Sequence, residues 1–534
     1  MAARKRIIVI MAVVSVVVAV GLVFLIRSPQ PRPSSDLRDI LTLQNNQISS
    51  FDPLDAYHAG HIQIVKQLYN TLVDIDLEGK PVPSVAREWT SEDGQTWRII
   101  LRDDVLFHSD ACFTDESERR VTAQDVHFTF HRMLSPDSES LGISYFTDIV
   151  GAAEYHAGTR DSIDGLRVVD DHTVEIVLAS PDFGFPARLT LPYVSIVPQE
   201  AIAKYGKMFA QHPVGTGPFR LERYEANTLI SLVRNPNYWE QGQDGPLPAV
   251  ERVHVNLVAD ENRAMLMFRN EEADFLELSR PLYEQYQQAS FSFDAALATQ
   301  ANAQINMYLC NLDTLKIASV RQGLSLALDR AGLKELLSKD GTVAGSLFPP
   351  AIFPLLAKTD HELLYDAEEA RRKLAGLNAL RLVCFEDAMS RAMADRYAQS
   401  LGNLGVKVQI EAVPFPVLVE RLTSGQYDLI QLYWGPIYSD PAHYLTPFLT
   451  KSFPPNGNNF NQYSNPEVDR LVAQSQTLKG DAANQALSQA QELILDDMPF
   501  VLLYFKTTVR ASNQRFEMPL HPLQYRLYKL ARSE

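Results

Sequence analysis

Cysteine is scarce in this chain. Its 534 residues include only Cys112, Cys310 and Cys384, far apart and with no C-x-x-C pair. That spacing excludes a zinc ribbon, a thioredoxin-like redox site and a dense disulfide framework. One disulfide stays open, with a thiol left over; isolated buried thiols are the simpler reading. Basic charge is also short, with 49 Lys and Arg against 65 Asp and Glu, a formal charge of -16. The first 35 residues hold five basic side chains and no acidic one, so the remainder carries 44 basic against 65 acidic groups, a net of -21. A body that acidic repels a phosphate backbone, and nucleic acid is not expected as a partner.

Catalytic signatures are missing as well. The sequence has no G-x-S-x-G elbow, no H-E-x-x-H and no G-x-x-x-x-G-K-[ST]. Gly215-Thr-Gly217 runs into Pro218, which removes a backbone donor, so it reads as a tight turn and not a phosphate loop. His58 and His61 are three apart and His127 and His131 four apart, spacings that put two imidazoles on one helical face. No third ligand accompanies either pair, and two neutral ligands make a poor closed metal site. No metal, no cofactor and no enzymatic activity is implied.

A long apolar run occurs once. After Arg4-Lys5-Arg6, residues 7–26 are apolar except for Ser15 and Gly21. As a helix they would reach about 30 Å, the thickness of a bilayer core. A cleaved signal usually has a shorter core and a small-x-small cleavage site, absent here, so an uncleaved anchor is favoured over a cleaved signal. The basic cluster stays cytoplasmic, which exports the rest, and the proline-rich 28–35 makes a short stalk.

Beyond the stalk the composition is that of a globular chain, 46% hydrophobic and 21% charged. Val174, Ile176 and Leu178 alternate as on a half-buried strand, and 253–257 does likewise. The apolar runs 427–433 and 500–505 read as deeply buried strands. Thr122-Ala-Gln-Asp125 resembles a capping box ahead of Val126, Phe130, Met133 and Leu134 on one face. Asp366-x-x-Glu369 is similar, with Gly376 as a stop, and Asn465-Pro466 opens another helix. Strands and helices interleave without repeats: an α/β protein.

Several segments in order resemble the peptide/nickel-type extracellular solute-binding proteins, family 5, which are binding components of ABC importers. They begin with Ser50-Phe-Asp-Pro-Leu-Asp55, Leu68-Tyr-Asn-Thr-Leu-Val73 and Gly79-Lys-Pro-Val-Pro-Ser-Val-Ala86. Leu101-Arg-Asp-Asp-Val-Leu-Phe-His108, Val121-Thr-Ala-Gln-Asp-Val126, Val214-Gly-Thr-Gly-Pro-Phe219 and Arg234-Asn-Pro-Asn-Tyr-Trp239 follow. Ala327-Leu-Asp-Arg330, Gly425-Gln-Tyr-Asp-Leu429, Trp434, Asp440-Pro441 and Tyr463-Ser-Asn-Pro-Glu-Val-Asp469 complete the series. Each piece is weak alone; their order and spacing across 45–505 carry the resemblance.

The resemblance implies a two-lobed α/β periplasmic-binding-protein fold, type II with an extra subdomain, preceded by an N-terminal transmembrane or signal helix. Lobe I would comprise 37–75, 190–300 and 503–534, with an inserted subdomain at 76–189; lobe II would be 301–502, and 1–36 the signal-anchor and stalk. It implies a monomer that binds a peptide or other small solute between the lobes and hands it to an ABC permease. The location would be extracytoplasmic, at the membrane through 7–26. Ligand-facing positions on this reading are Gln47, Trp434, Gly435, Ile437, Tyr438 and Asn459, with Trp434 and Tyr438 as aromatic walls.

Asp52-Pro53, Gly215-Thr-Gly-Pro218 and Asn235-Pro-Asn237 read as turn scaffold, and Asp329-Arg330 as terminating or pinning a helix. The chain departs from the family pattern at two places. Peptide binders carry an aspartate for the α-ammonium where this chain has Ile437, which puts free-amine peptides in doubt. Gly323 stands where alanine is usual and should cost its helix about 0.5–1 kcal/mol. Ser109–Arg120 reads as a surface insertion. A membrane-tethered sensor or docking protein on the same fold remains the alternative.

Overall fold

Helix starts are set locally, by short polar side chains that satisfy backbone N–H groups left open in a first turn. In the computed structural model the Thr122 N–H and hydroxyl both donate to Asp125 Oδ2, at 2.8 and 3.0 Å, at the head of Ala123–Met133. Asp366 Oδ1 accepts the Glu368 and Glu369 N–H groups, both at 3.0 Å, and opens Ala367–Lys373; Gly376 follows at φ +95°. Asn465 caps Pro466–Gln476. Asp329 opens the helix Arg330–Leu337 and does not terminate one, its carboxylate taking the Gly332 N–H at 2.9 Å.

The structure describes residues 39–42, 48–242, 245–359, 363–435, 438–454, 457–517, 527–529 and 531–532. The apolar run 7–26, the stalk 28–35, Gln47 and Ile437 lie outside them. Among the described residues no helix is long and apolar enough to cross a membrane.

Three larger sheets organise these residues. Ala86–Thr90, Thr96–Leu101, Thr173–Val177 and Leu166–Asp170 form a four-stranded antiparallel sheet. Its buried face (Trp97, Ile99, Leu101, Val174, Ile176) shares a core with Val126, Phe130 and Met133 of the Ala123–Met133 helix. A second four-stranded sheet orders Asp39–Thr42, Arg252–Leu257, Leu229–Arg234 and Phe219–Glu225. The third has seven strands. Along it run Phe275–Leu278, Phe500–Ser512, Ala296–Cys310, Leu429–Trp434, Ala379–Phe385 and Lys407–Val413, with Gly341–Val343 also on Phe500–Ser512.

The run read as strand 500–505 is thus thirteen residues long, because beyond Phe505 it continues against Ala296–Cys310. That pairing is continuous from Ala296 to Ala301, breaks register, and resumes at Ile305 opposite Phe505. Buried residues group accordingly. One core draws mainly on residues 48–255, a smaller one on 258–297 with Val509 and Ala511, and three on 303–505.

Two glycines are required by close approach. The Gly217 N–H donates to the Leu68 carbonyl at 3.0 Å. A Cβ on Gly217 would lie 2.3 Å from the Leu68 carbonyl carbon and 2.5 Å from the Gln67 oxygen. Because these obstacles are backbone, Gly217→Ala is expected to cost about 2–3 kcal/mol, read as a lowered midpoint in thermal unfolding; an unchanged midpoint would remove this packing argument. Gly323, read as a weakness in its helix, lies where a Cβ would meet Lys373 Cβ at 2.9 Å and Leu374 Cγ at 3.1 Å. Its absence lets Ala318–Leu326 lie tightly on Ala367–Lys373. Cys310 and Cys384 are buried free thiols, and Cys112 is free and half-buried. The stretch read as a surface insertion is anchored, since the buried Arg119 guanidinium donates twice to the Phe107 carbonyl, at 2.9 and 3.1 Å.

Candidate functional site

The strand Leu429–Trp434 lies between Ala296–Cys310 and Ala379–Phe385, which fixes the start of the segment that follows it. Trp434 is half-buried. Its indole N–H donates to the Tyr444 carbonyl at 3.0 Å, and its ring sits 5.6 Å from the His443 ring. Gly435 allows the turn to pass the neighbouring strand, since a Cβ there would be 3.1 Å from the Gln304 Cα. Tyr438 is buried, with its ring 4.5 Å from His443 and edge-on to Tyr145 at 5.8 Å. His443, which sequence reasoning passed over, therefore contacts both the Trp434 and Tyr438 rings.

Asn459 does not join this group through its side chain. It is fully buried, its amide nitrogen gives to the Leu449 and Tyr463 carbonyls at 2.9 and 2.8 Å, and its oxygen takes the Tyr463 N–H at 3.0 Å. It braces the loop that carries it. Gln47 and Ile437, outside the described residues, receive no placement.

The segment ends at Asp440, whose Oδ1 accepts the Ala442 N–H at 2.9 Å and caps Pro441–Tyr444. Facing it are groups from a remote part of the chain. Arg188 is buried and donates to Asp148 Oδ1 at 2.7 Å, to the Tyr145 carbonyl at 2.8 Å and to Asp182 Oδ2 at 3.0 Å. Burial pushes the Asp440 carboxyl up to about 7, and the Asp182 carboxylate adds to this; the Ala442 N–H and Arg188 oppose it. Burial likewise raises Asp182. His443 is lowered to about 4 by burial and then by Arg188, so its ring is neutral near pH 7. Burial raises the Tyr438 phenol as well. Burial opposes the charge of Arg188, yet Asp148 and Asp182 hold its guanidinium above the ordinary value. A cavity of about 730 Å³ adjoins, walled by Trp89, Trp97 and Phe183 on one side and by Ser439, Asp440 and Gln476 on the other.

A second groove, of about 870 Å³, lies beside the Asp52–Arg132 ion pair and is lined by Tyr57, His131 and Tyr155. The His127 and His131 rings are 4.1 Å apart, and burial lowers both, His131 to about 4. His58 Nδ1 accepts the His61 N–H at 3.1 Å and so caps its helix. Among the described residues no group of three or more His, Cys, Asp or Glu could hold a metal ion. Among the described residues, this region brings together aromatic rings, backbone groups and the buried Arg188–Asp182–Asp148 ion network.

Comparison with known proteins gives concordant results. The sequence profile of the family described as bacterial extracellular solute-binding proteins, family 5 Middle, matches residues 80–456. The chain is 27% identical over 473 residues to "Probable di/tripeptide-binding protein 5" of Pseudomonas aeruginosa, covering 84% of this chain and 86% of that one. It is 25% identical over 512 residues to the periplasmic oligopeptide-binding protein OppA of Salmonella typhimurium, covering 89% and 88%. Among solved structures, the periplasmic murein tripeptide binding protein MppA in its unliganded open form superposes with a TM-score of 0.77 at 20% identity, covering 93% of this chain and 98% of that one. That likeness shows the fold, a mixed α/β two-lobed periplasmic-binding protein.

Proposed function

The chain belongs to the bacterial extracellular solute-binding proteins, family 5, and from that premise we propose that it is the periplasmic binding component of an ABC importer for a peptide or peptide-like solute. The observation that carries this reading is the family match across 80–456, on a two-lobed fold and with relatives named for di-, tri- and oligopeptides. The chain acts by binding, closing its lobes on the solute and presenting the closed shape to a permease. The lobes on this reading are 37–75, 190–300 and 503–534 with the subdomain 76–189, against 301–502. Residues 7–26 export the chain and hold it at the membrane, and the protein works as a monomer.

We place the solute against the segment from Trp434 to Tyr438, with Gln47 contributing from lobe I. Rigid support from the central strand and two aromatic rings favour that placement. Native mass spectrometry of residues 34–534 as purified, followed by denaturation, tests the reading. Released peptides of defined length are expected. A protein that is empty and also ignores a peptide library would favour a docking role instead.

Trp434→Ala is expected to weaken solute binding tenfold or more, since aromatic anchors commonly carry about 2 kcal/mol of binding energy. The chain should still fold, with a modestly lower melting point from the lost bond to the Tyr444 carbonyl. Unchanged affinity in a calorimetric titration would move the site elsewhere.

A further inference from the structure

Solute binding leaves one arrangement unexplained. Asp182 and Asp440 are 7% and 8% exposed, and they arrive from opposite sides of the junction between the 141–188 region and the 438–480 region. Both carboxylates crowd the same point. A methyl group on Gly184 would lie 3.1 Å from Asp182 Oδ1 and 3.3 Å from Asp440 Oδ2. The Arg188 guanidinium makes ion pairs with Asp182 and Asp148 and reaches Asp440 only as a nearby charge. Two buried like charges this close cannot both ionise without large cost, so one of them keeps a proton while the junction is shut.

Other contacts across the junction are few and breakable. The Phe183 N–H donates to the Gln476 carbonyl at 2.8 Å, Lys479 Nζ sits 4.1 Å over the Phe183 ring, and Tyr145 meets Tyr438 edge-on and His443 at a tilt, each at 5.8 Å. The cavity of about 730 Å³ opens between the same walls. Tyr438 also crosses this seam, packing with the core of residues 48–255.

We propose that Asp182 and Asp440 form a proton-operated latch: closure of the seam takes up one proton, shared by the two carboxyls, and release of that proton loosens the closed form and its hold on solute. This rests on the lobe-closing function proposed above. When the seam opens, water reaches Asp440 and its carboxyl returns to ordinary acidity, so the closed form binds more protons than the open one over the interval between.

The neighbours leave the carboxyls as the titrating groups. His443 is held neutral down to about pH 4, burial raises Tyr438 and Tyr145, and Arg188 stays charged. Lys451 and Asp148 act on Asp182 only as nearby charges. The sign follows. The raised carboxyl, at about 7 in the closed state for Asp440, favours closure as pH falls. Affinity should drop by up to about tenfold per pH unit as pH rises from about 4 toward 7, and flatten above that.

The test uses Asp440→Asn in the full chain, because asparagine keeps the oxygen that caps Pro441–Tyr444 and mimics the protonated state. N-acetyl-trialanine is the probe, having no group that titrates between about pH 5 and pH 8. Wild-type affinity should fall tenfold or more across that interval, whereas the variant should change less than twofold. Parallel slopes in the two proteins, or a flat wild type, would overturn the latch.

Two readouts need no ligand. A protonated-carboxyl infrared band should appear in the wild-type-minus-variant difference at about pH 6 for both Asp440→Asn and Asp182→Asn, where the buried Asp125 carboxyl, raised to about 6, cancels. Small-angle scattering of the empty protein should show a more compact wild type in acid. If the probe fails to bind at any pH while the band is seen, the peptide reading fails and the latch stands; if the probe binds and the band is missing, the reverse holds.

Discussion

Arg321→Ala is expected to lower the stability of the folded chain by about 3–5 kcal/mol, the range seen when a buried charged donor is removed and its acceptors are left unpaired. Arg321 is only 6% exposed, and it donates to four backbone carbonyls. Its Nε reaches those of Asp497 and Met498 at 3.0 and 3.1 Å, Nη1 reaches Leu315 and Lys316 at 2.8 and 2.9 Å, and Nη2 reaches Asp497 again at 2.6 Å. These carbonyls mark the exit of the helix Asp481–Asp497, where Met498 takes φ +45°, and the loop leading into Ala318–Leu326. One side chain therefore ties the exit of one helix to the entry of another. Arg321→Lys should recover little, because an ammonium cannot reach the same carbonyls with a planar fork. Denaturant unfolding of both variants measures this; a loss below about 1 kcal/mol for alanine would mean that water replaces the guanidinium.

The second large effect is one of selectivity. Ile437→Asp is expected to raise the preference for trialanine over N-acetyl-trialanine roughly thirtyfold, since a buried charge pair at a binding surface is commonly worth about 2 kcal/mol or more. The resemblance to peptide binders puts the ammonium-pairing carboxylate at this position, and an isoleucine there offers a desolvated amine nothing. Wild type should accordingly discriminate weakly between the two probes. Calorimetric titration of both proteins with both probes gives the ratio directly. An unchanged ratio would show that the amine is received elsewhere along the segment.

Helix starts were the most legible part of the sequence because their cause is local. Thr122 with Asp125, Asp366 and Asn465 each act within three residues, and the structure has a cap at each. Strand 500–505 was recognised but too short, because only its first residues are uniformly apolar. The polar remainder from Lys506 onward is strand by virtue of its pairing with Ala296–Cys310, which no local pattern announces. Gly323 illustrates the same limit: propensity gave its cost, and only the position of Lys373 and Leu374 gives its reason. At the site, the stretch from Trp434 to Asp440 was readable as a stretch. Its partners Asp182, Arg188 and Tyr145 were not, since they are ordinary residues remote in sequence whose place comes from the fold alone.

The position of Phe500–Ser512 in the seven-stranded sheet also bears on when this chain can fold. That strand lies between Phe275–Leu278 and Ala296–Cys310, so two strands made much earlier wait for nearly the last segment to be synthesised. Until it arrives, Phe275–Leu278 has no strand partner among the described residues and one edge of Ala296–Cys310 stays unpaired. Pairings this distant in sequence are slow to close and cannot be replaced by local ones. The seven-stranded sheet is therefore completed only by nearly the last strand made, while Ala296–Cys310, Leu429–Trp434, Ala379–Phe385 and Lys407–Val413 can pair before it and wait with one edge open.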